Sequence, residues 1–189
     1  MKRIKYSLKI TAILCVFFFL LSCDNTLGDN DQSSVMLIVT RIHGADLEGG
    51  DADYLMSDVL TGGGYVTNPV MVTLEAKFKN PEPLLPGTSY KTSIMIDRYT
   101  VTYTRPEGGR APDAFEGRLA VVCEVDASVD VEIIAVRAEA KAAAPLNTLV
   151  GTDVIWAVAE IRFIGHDLAG NGVEATGFLT IYFSDWDDS

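Results

Sequence analysis

The chain has 189 residues, of which 26 are acidic and 15 basic, for a formal net charge of -11 at pH 7. Such an excess of carboxylates repels phosphate backbones and excludes nucleic acid as a partner. The three cysteines are too few, and too unevenly placed, for a scaffold built on disulfides.

The chain opens on "MKRIKYSLK", where Lys2, Arg3, Lys5 and Lys9 form a basic block, and an apolar run follows over residues 10–21. Basic block then apolar block is the order of a secretory signal. The run is shorter than the roughly 20 residues that a transmembrane helix needs. It ends on Leu20-Leu21-Ser22-Cys23, which resembles the lipobox of bacterial lipoproteins. That resemblance implies a signal peptide over residues 1–22, removed on export, and a Cys23 thiol that takes a diacylglycerol. It also implies a freed amino group that is acylated, and a mature chain lipid-anchored to the inner or outer membrane of the cell envelope. Two or three acyl chains, at about 0.8 kcal/mol per buried CH2, hold where one would be marginal.

Cleavage removes the four basic residues of the signal and no acidic one, leaving 11 basic against 26 acidic residues and a mature charge of -15. It also removes Cys15, and with Cys23 lipidated only Cys123 remains free. That cysteine lies in "RLAVVCEV", where it alternates with charged residues, so a buried apolar role is expected. Residues 23–34, rich in Asp, Asn, Gly and Ser, offer too little apolar surface to offset the entropy of ordering and read as a flexible linker.

Beyond the linker, the pattern over residues 35–189 is period two. Val70, Val72, Leu74, Ala76 and Phe78 oppose Thr73, Glu75 and Lys77; Tyr99, Val101 and Tyr103 oppose Arg98, Thr100, Thr102 and Thr104. Ala175, Leu179, Ile181 and Phe183 oppose Thr176, Phe178, Thr180 and Tyr182. Each is the signature of a half-buried strand. Further strands are expected at about residues 35–42, 118–125, 129–140 and 154–165, all rich in β-branched and aromatic residues. The connections "NPEPLLPG", "RPEGGRAPD" and "TGGGY" carry Pro and Gly as turn punctuation. "RAEAKAAAPL" either extends the strand before it or makes a short helical turn. The fold expected is an all-β, antiparallel sandwich of about seven or eight strands.

Near the C-terminus, "IRFIGHDLAGNGVEATGFLTIYF" sets two alternating runs around a turn with Gly170, Asn171 and Gly172, residues that accept positive φ. This Asp-x-Ala-Gly-Asn hairpin resembles bacterial immunoglobulin-like domains, which implies an immunoglobulin-like sandwich and recruitment of partners through loops or edge strands. The Trp and disulfide pattern of antibody domains is absent.

Catalytic motifs are sparse. The two histidines, His43 and His166, are far apart in sequence, and no nucleophile elbow, phosphate-binding loop, zinc-protease helix or Cys-x-x-Cys pair occurs. A carboxylate pair could serve a periplasmic hydrolase, but nothing in the sequence selects two carboxylates from so many. "GADLEGGDADYLMSD" gathers Asp46, Glu48, Asp51, Asp53 and Asp58 in what reads first as a solvated acidic loop. Asp46, Asp51 and Asp53 are its candidate calcium ligands in a calcium-stabilised adhesive domain, since hard oxygens suit that ion. The spacing departs from the D-x-D-x-D-G-x5-E pattern because Gly50 precedes Asp51. Trp186, in "SDWDDS", either closes one end of the sandwich or offers an aromatic contact to a protein or sugar. The expectation that follows is a lipid-anchored, non-catalytic binding or structural module that meets an envelope protein or a glycan and needs no cofactor.

Overall fold

Strand-forming alternation is realised along most of the sequence between Val35 and Ser184. The computed structural model describes residues 33–80, 93–151 and 153–186. Cys23, the signal, the linker as far as residue 32, residues 81–87 of the proline-rich connection, and Asp187 and Asp188 lie outside the described residues. In chain order the elements are β1 (Val35–Ala45), β2 (Asp51–Ala52), β3 (Tyr54–Asp58), β4 (Asn68–Phe78), β5 (Ser93–Thr104), β6 (Phe115–Glu124), β7 (Ser128–Val136), α1 (Ala138–Lys141), a 3-10 turn (Leu146–Thr148), β8 (Ile155–Asp167) and β9 (Gly172–Ser184).

These strands form an all-β sandwich of two sheets, ordered β2-β1-β4-β7 and β3-β9-β8-β5-β6. Three features differ from the sequence expectation. The acidic stretch is not one loop, because it holds β2 and β3; and β3 runs parallel to β9, with Tyr54 opposite Thr180 and Asp58 opposite Ser184. The strand expected over 129–140 ends at Val136, and the alanine-rich segment turns into α1. "TGGGY" does make a tight turn: Thr61 and Gly64 exchange both backbone hydrogen bonds, and Gly62 and Gly63 lie at φ of 57° and 79°, as a two-residue hairpin of this hand requires.

The alternating residues fill the space between the sheets. Leu74, Ile94, Ile96, Ile161, Phe163, Leu179, Ile181 and Phe183 are all buried, and Cys123 is buried among them. Desolvation pushes the Cys123 thiol above its ordinary range, which suits packing and not nucleophilic chemistry. Among the described strands, bulges shift the phase of the pattern at Thr40 in β1, Asp97 in β5 and Ala135 in β7. The last sits opposite Pro69, which has no N–H to give to the ladder. Beside it two tyrosines of β5 cross the core: the Tyr99 hydroxyl accepts from the Ile134 N–H at 3.1 Å, and the Tyr103 hydroxyl donates to the Ala135 carbonyl at 2.5 Å. Burial raises Tyr103 well above the usual phenol range, so it stays a donor and couples one sheet to the other.

Candidate functional site

The two ends of the sandwich are built differently. At one end the β8–β9 hairpin closes on Asp167, whose side chain is 2 % exposed. Its Oδ1 accepts the backbone N–H groups of Ala169 and Asn171, each at 2.9 Å, and its Oδ2 accepts Asn171 Nδ2 at 3.0 Å. Burial alone would raise this carboxyl. Hydrogen bonds from the Asn171 and Ser33 side chains and from those two amides outweigh it and hold the group below the ordinary carboxylate range. Ser33, the first described residue, is thereby fixed at this end.

At the opposite end the hub is Asp58, the last residue of β3. Its Oδ1 accepts the Trp186 N–H at 3.1 Å and its Oδ2 the Thr61 hydroxyl at 2.8 Å, while its backbone carbonyl accepts Lys141 Nζ at 2.5 Å. Lys141 is only 1 % exposed. Burial pulls its ammonium down to about 8, with Asp58 acting in the other direction. Nearby, Ser57 donates to Asn68 Oδ1 at 2.7 Å, and Ser184 donates to the Asp153 carbonyl at 2.8 Å.

Above this hub lies an open groove of about 480 Å3, whose walls include Asp46, Leu47, Met56, Asp58, Thr61 and Trp186. It offers an indole, apolar flanks, two carboxylates and the amide of Asn68, whose Nδ2 can still donate because its oxygen takes the Ser57 proton. A donor-rich polar ligand with an apolar face fits that set better than an anion does. The groove therefore joins Trp186 to two members of the acidic stretch, Asp46 and Asp58, that the sequence marked apart from it.

The other marked residues do not converge there. Asp51, at the start of β2, accepts from His43 Nδ1 at 2.8 and 2.9 Å and lies 3.8 Å from Arg41. It lines a separate, shallower groove of about 170 Å3 with His43 and Glu132. Asp53 stands exposed between β2 and β3. Asp46 is occupied by its own turn: Oδ1 accepts the N–H groups of Glu48 at 3.0 Å and Gly50 at 2.7 Å. Among the described residues no three His, Cys, Asp or Glu side chains are grouped to hold a metal ion. His166 pairs with the bulge residue Asp97 at 2.9 Å, near the Asp167 end and away from the Trp186 groove.

Sequence reasoning missed Lys141. It stands in an alanine-rich run whose composition signals helix, and only the fold shows that its ammonium is taken out of water. No family model matches the sequence, and no curated protein matches it.

Proposed function

We propose that this chain is an exported lipoprotein, anchored through Cys23, whose immunoglobulin-like sandwich acts as a non-catalytic binding module of the bacterial envelope, with the Trp186 groove as a contact site. The observation that carries the binding reading is the groove itself: aromatic, open, and lined by carboxylates that already hold the fold together. Asp58 takes the Trp186 amide and the Thr61 hydroxyl, and Asp46 takes two turn amides, so each is committed to structure before any ligand arrives. The strand order supports the immunoglobulin-like assignment. Taking β1, β4 and β7 as strands A, B and E, and β5, β8 and β9 as C, F and G, reproduces the pairing within both sheets of that fold. The lipobox and the polar linker support the anchor.

A hydrolase is the second reading, and one observation favours it: Asp46 and Asp58 line the same groove. Two measurements separate these claims. A palmitate analogue labels the wild type and not Cys23→Ala; equal labelling of both removes the anchor. A photocrosslinking residue placed at Thr61 in intact cells captures a partner that Trp186→Ala no longer holds. Turnover of a glycan or ester panel that disappears in both Asp46→Asn and Asp58→Asn would instead establish the enzyme.

A further inference from the structure

Among the described residues, the outer face of the five-stranded sheet carries an aromatic surface that no other element covers, and this surface joins the groove. In the β3–β9–β8 register, Met56, Tyr182 and Trp156 form one row across the strands, and Tyr54, Thr180 and Val158 form the next. Phe178 follows beside Glu160. Phe178 is 64 % exposed, Tyr54 39 % and Tyr182 37 %, and the Tyr54 and Tyr182 rings meet edge to face at 5.9 Å. Met56 also lines the groove, so groove and aromatic face are continuous. Phe178 and Tyr182 are four residues apart on the same strand face, roughly 13 Å, which is longer than a single small ligand needs.

We infer that this face binds an uncharged polysaccharide chain laid across β9 and β8, with one end of the chain reaching into the Trp186 groove. The inference rests on the binding-module reading above. Charge decides the class of partner. Among the described residues no cationic side chain stands within the aromatic rows; the nearest along the strands, Arg162, is paired to Glu174, and the mature chain is strongly acidic, so a polyanion is repelled. The surface itself alternates rings with hydroxyls: Thr180 lies between Phe178 and Tyr182, and Thr102 and Thr104 flank the patch opposite Glu160 and Val158. Pyranose rings present the matching alternation, with C–H faces that stack on aromatic rings and hydroxyls that exchange hydrogen bonds with threonine and carboxylate. Position sets the Trp156 end of this face apart from the point where the linker enters. The described chain begins at Ser33, tied to Asp167, about eleven residues along β8 from Trp156, or roughly 35 Å. The patch therefore lies at the far end of the domain from the point where an anchored linker enters.

The test is co-sedimentation of the purified full chain, in mild detergent, with insoluble cellulose, chitin and β-1,3-glucan, and with an alginate gel as the anionic control. The wild type is expected on at least one uncharged polymer and not on alginate. Phe178→Ala and Tyr182→Ala are each expected to weaken retention about tenfold, the effect of losing a central aromatic contact, with the thermal midpoint reporting that the sandwich is intact. Retention on none of the uncharged polymers overturns the inference, as does equal retention of the Phe178→Ala/Tyr182→Ala double variant. A dimer that the double variant abolishes assigns the face to a second copy. A crosslinked envelope protein in place of sugar assigns it to a protein partner. Either result overturns the polysaccharide. Palmitate labelling and crosslinking from Thr61 are read separately, so failure of the anchor or of the module is told apart from failure of this ligand.

Discussion

Residues 46–50 and 167–171 make the same turn twice, in "DLEGG" and "DLAGN". In each, the leading Asp accepts the N–H groups two and four residues on through one carboxylate oxygen. Its own N–H donates to the carbonyl four residues on, and its carbonyl accepts the N–H three residues on. Gly49 and Gly170 sit at the matching position with φ of 80° and 88°, where a side chain would be strained. The two differ in surroundings. Asp167 is buried and gains the Asn171 and Ser33 side chains, whereas Asp46 is half-buried on the groove wall. Aspartate at the head of such a loop is first a turn residue, and burial decides how much the turn contributes.

The largest effect is expected where the carboxylate is buried. Asp167→Ala leaves two amides and the Asn171 amide without their acceptor in a dry site, a cost of about 3 kcal/mol that chemical denaturation measures directly. The same carboxylate sets an acid dependence. Its folded pKa is depressed, so its contribution is complete above the ordinary carboxylate value near 4 and fades as pH falls through the lower, folded value. Asp167→Ala should show a shallower acid arm than the wild type. Parallel arms would mean that the hydrogen bonds do not favour the ionised form.

Asp58 shows how an aspartate can bind distant parts of the chain in place of its own turn, and Lys141 is its buried companion. Lysine in the unfolded chain ionises near 10.4, and here near 8. Between those values the unfolded state holds a proton that the folded state releases, so stability should rise with pH across that window, by up to about 2–3 kcal/mol. Lys141→Met removes the ionisation and should flatten this rise while keeping much of the packing. A variant that tracks the wild type from pH 8 to 10.5 would show that the ammonium is solvated.

The contrast between local and distant partners also marks how far the sequence could be read. The alternation in β4, β5 and β9 was legible because each places three to five apolar residues at period two on one face. The Asp167 turn was legible because its turn partners lie within four residues; its contact with Ser33, far upstream, was not. β3 was not, since it is short and directs Ser57 inward with Leu55, and its pairing with β9 is a tertiary choice. The bulge at Ala135 and the end of β7 were hidden for a similar reason: Pro69 acts from another strand. At the groove, Trp186 and the acidic cluster were visible as residue types. Their meeting at Asp58 was not, because the Trp186 contact spans 128 positions and the Lys141 contact 83. The aromatic face was half visible: Phe178 and Tyr182 share an outward face by periodicity, but Tyr54 and Trp156 join them only through strand register.

The smaller effects belong to the exposed twin and its neighbours. Asp46→Ala breaks the same two amide contacts as its counterpart, but water can replace them, so a loss of about 1 kcal/mol is expected. If Asp46→Ala costs as much as Asp167→Ala, burial is not what separates the two turns. Asp51 carries the smallest effect, because its contacts to His43 and Arg41 are solvent-exposed, and such pairs contribute roughly 0–1 kcal/mol. Calcium provides the sharpest form of this test. Asp46 Oδ1 is aimed at its turn amides and Asp51 at His43, so a metal would have to draw these oxygens away from partners they already have. Thermal melts of the full chain in EDTA and in millimolar calcium should then share one midpoint. A rise in calcium that the Asp51→Asn/Asp53→Asn double variant abolishes would show that the ion rebuilds this segment, and that its carboxylates answer to a ligand as well as to the turn.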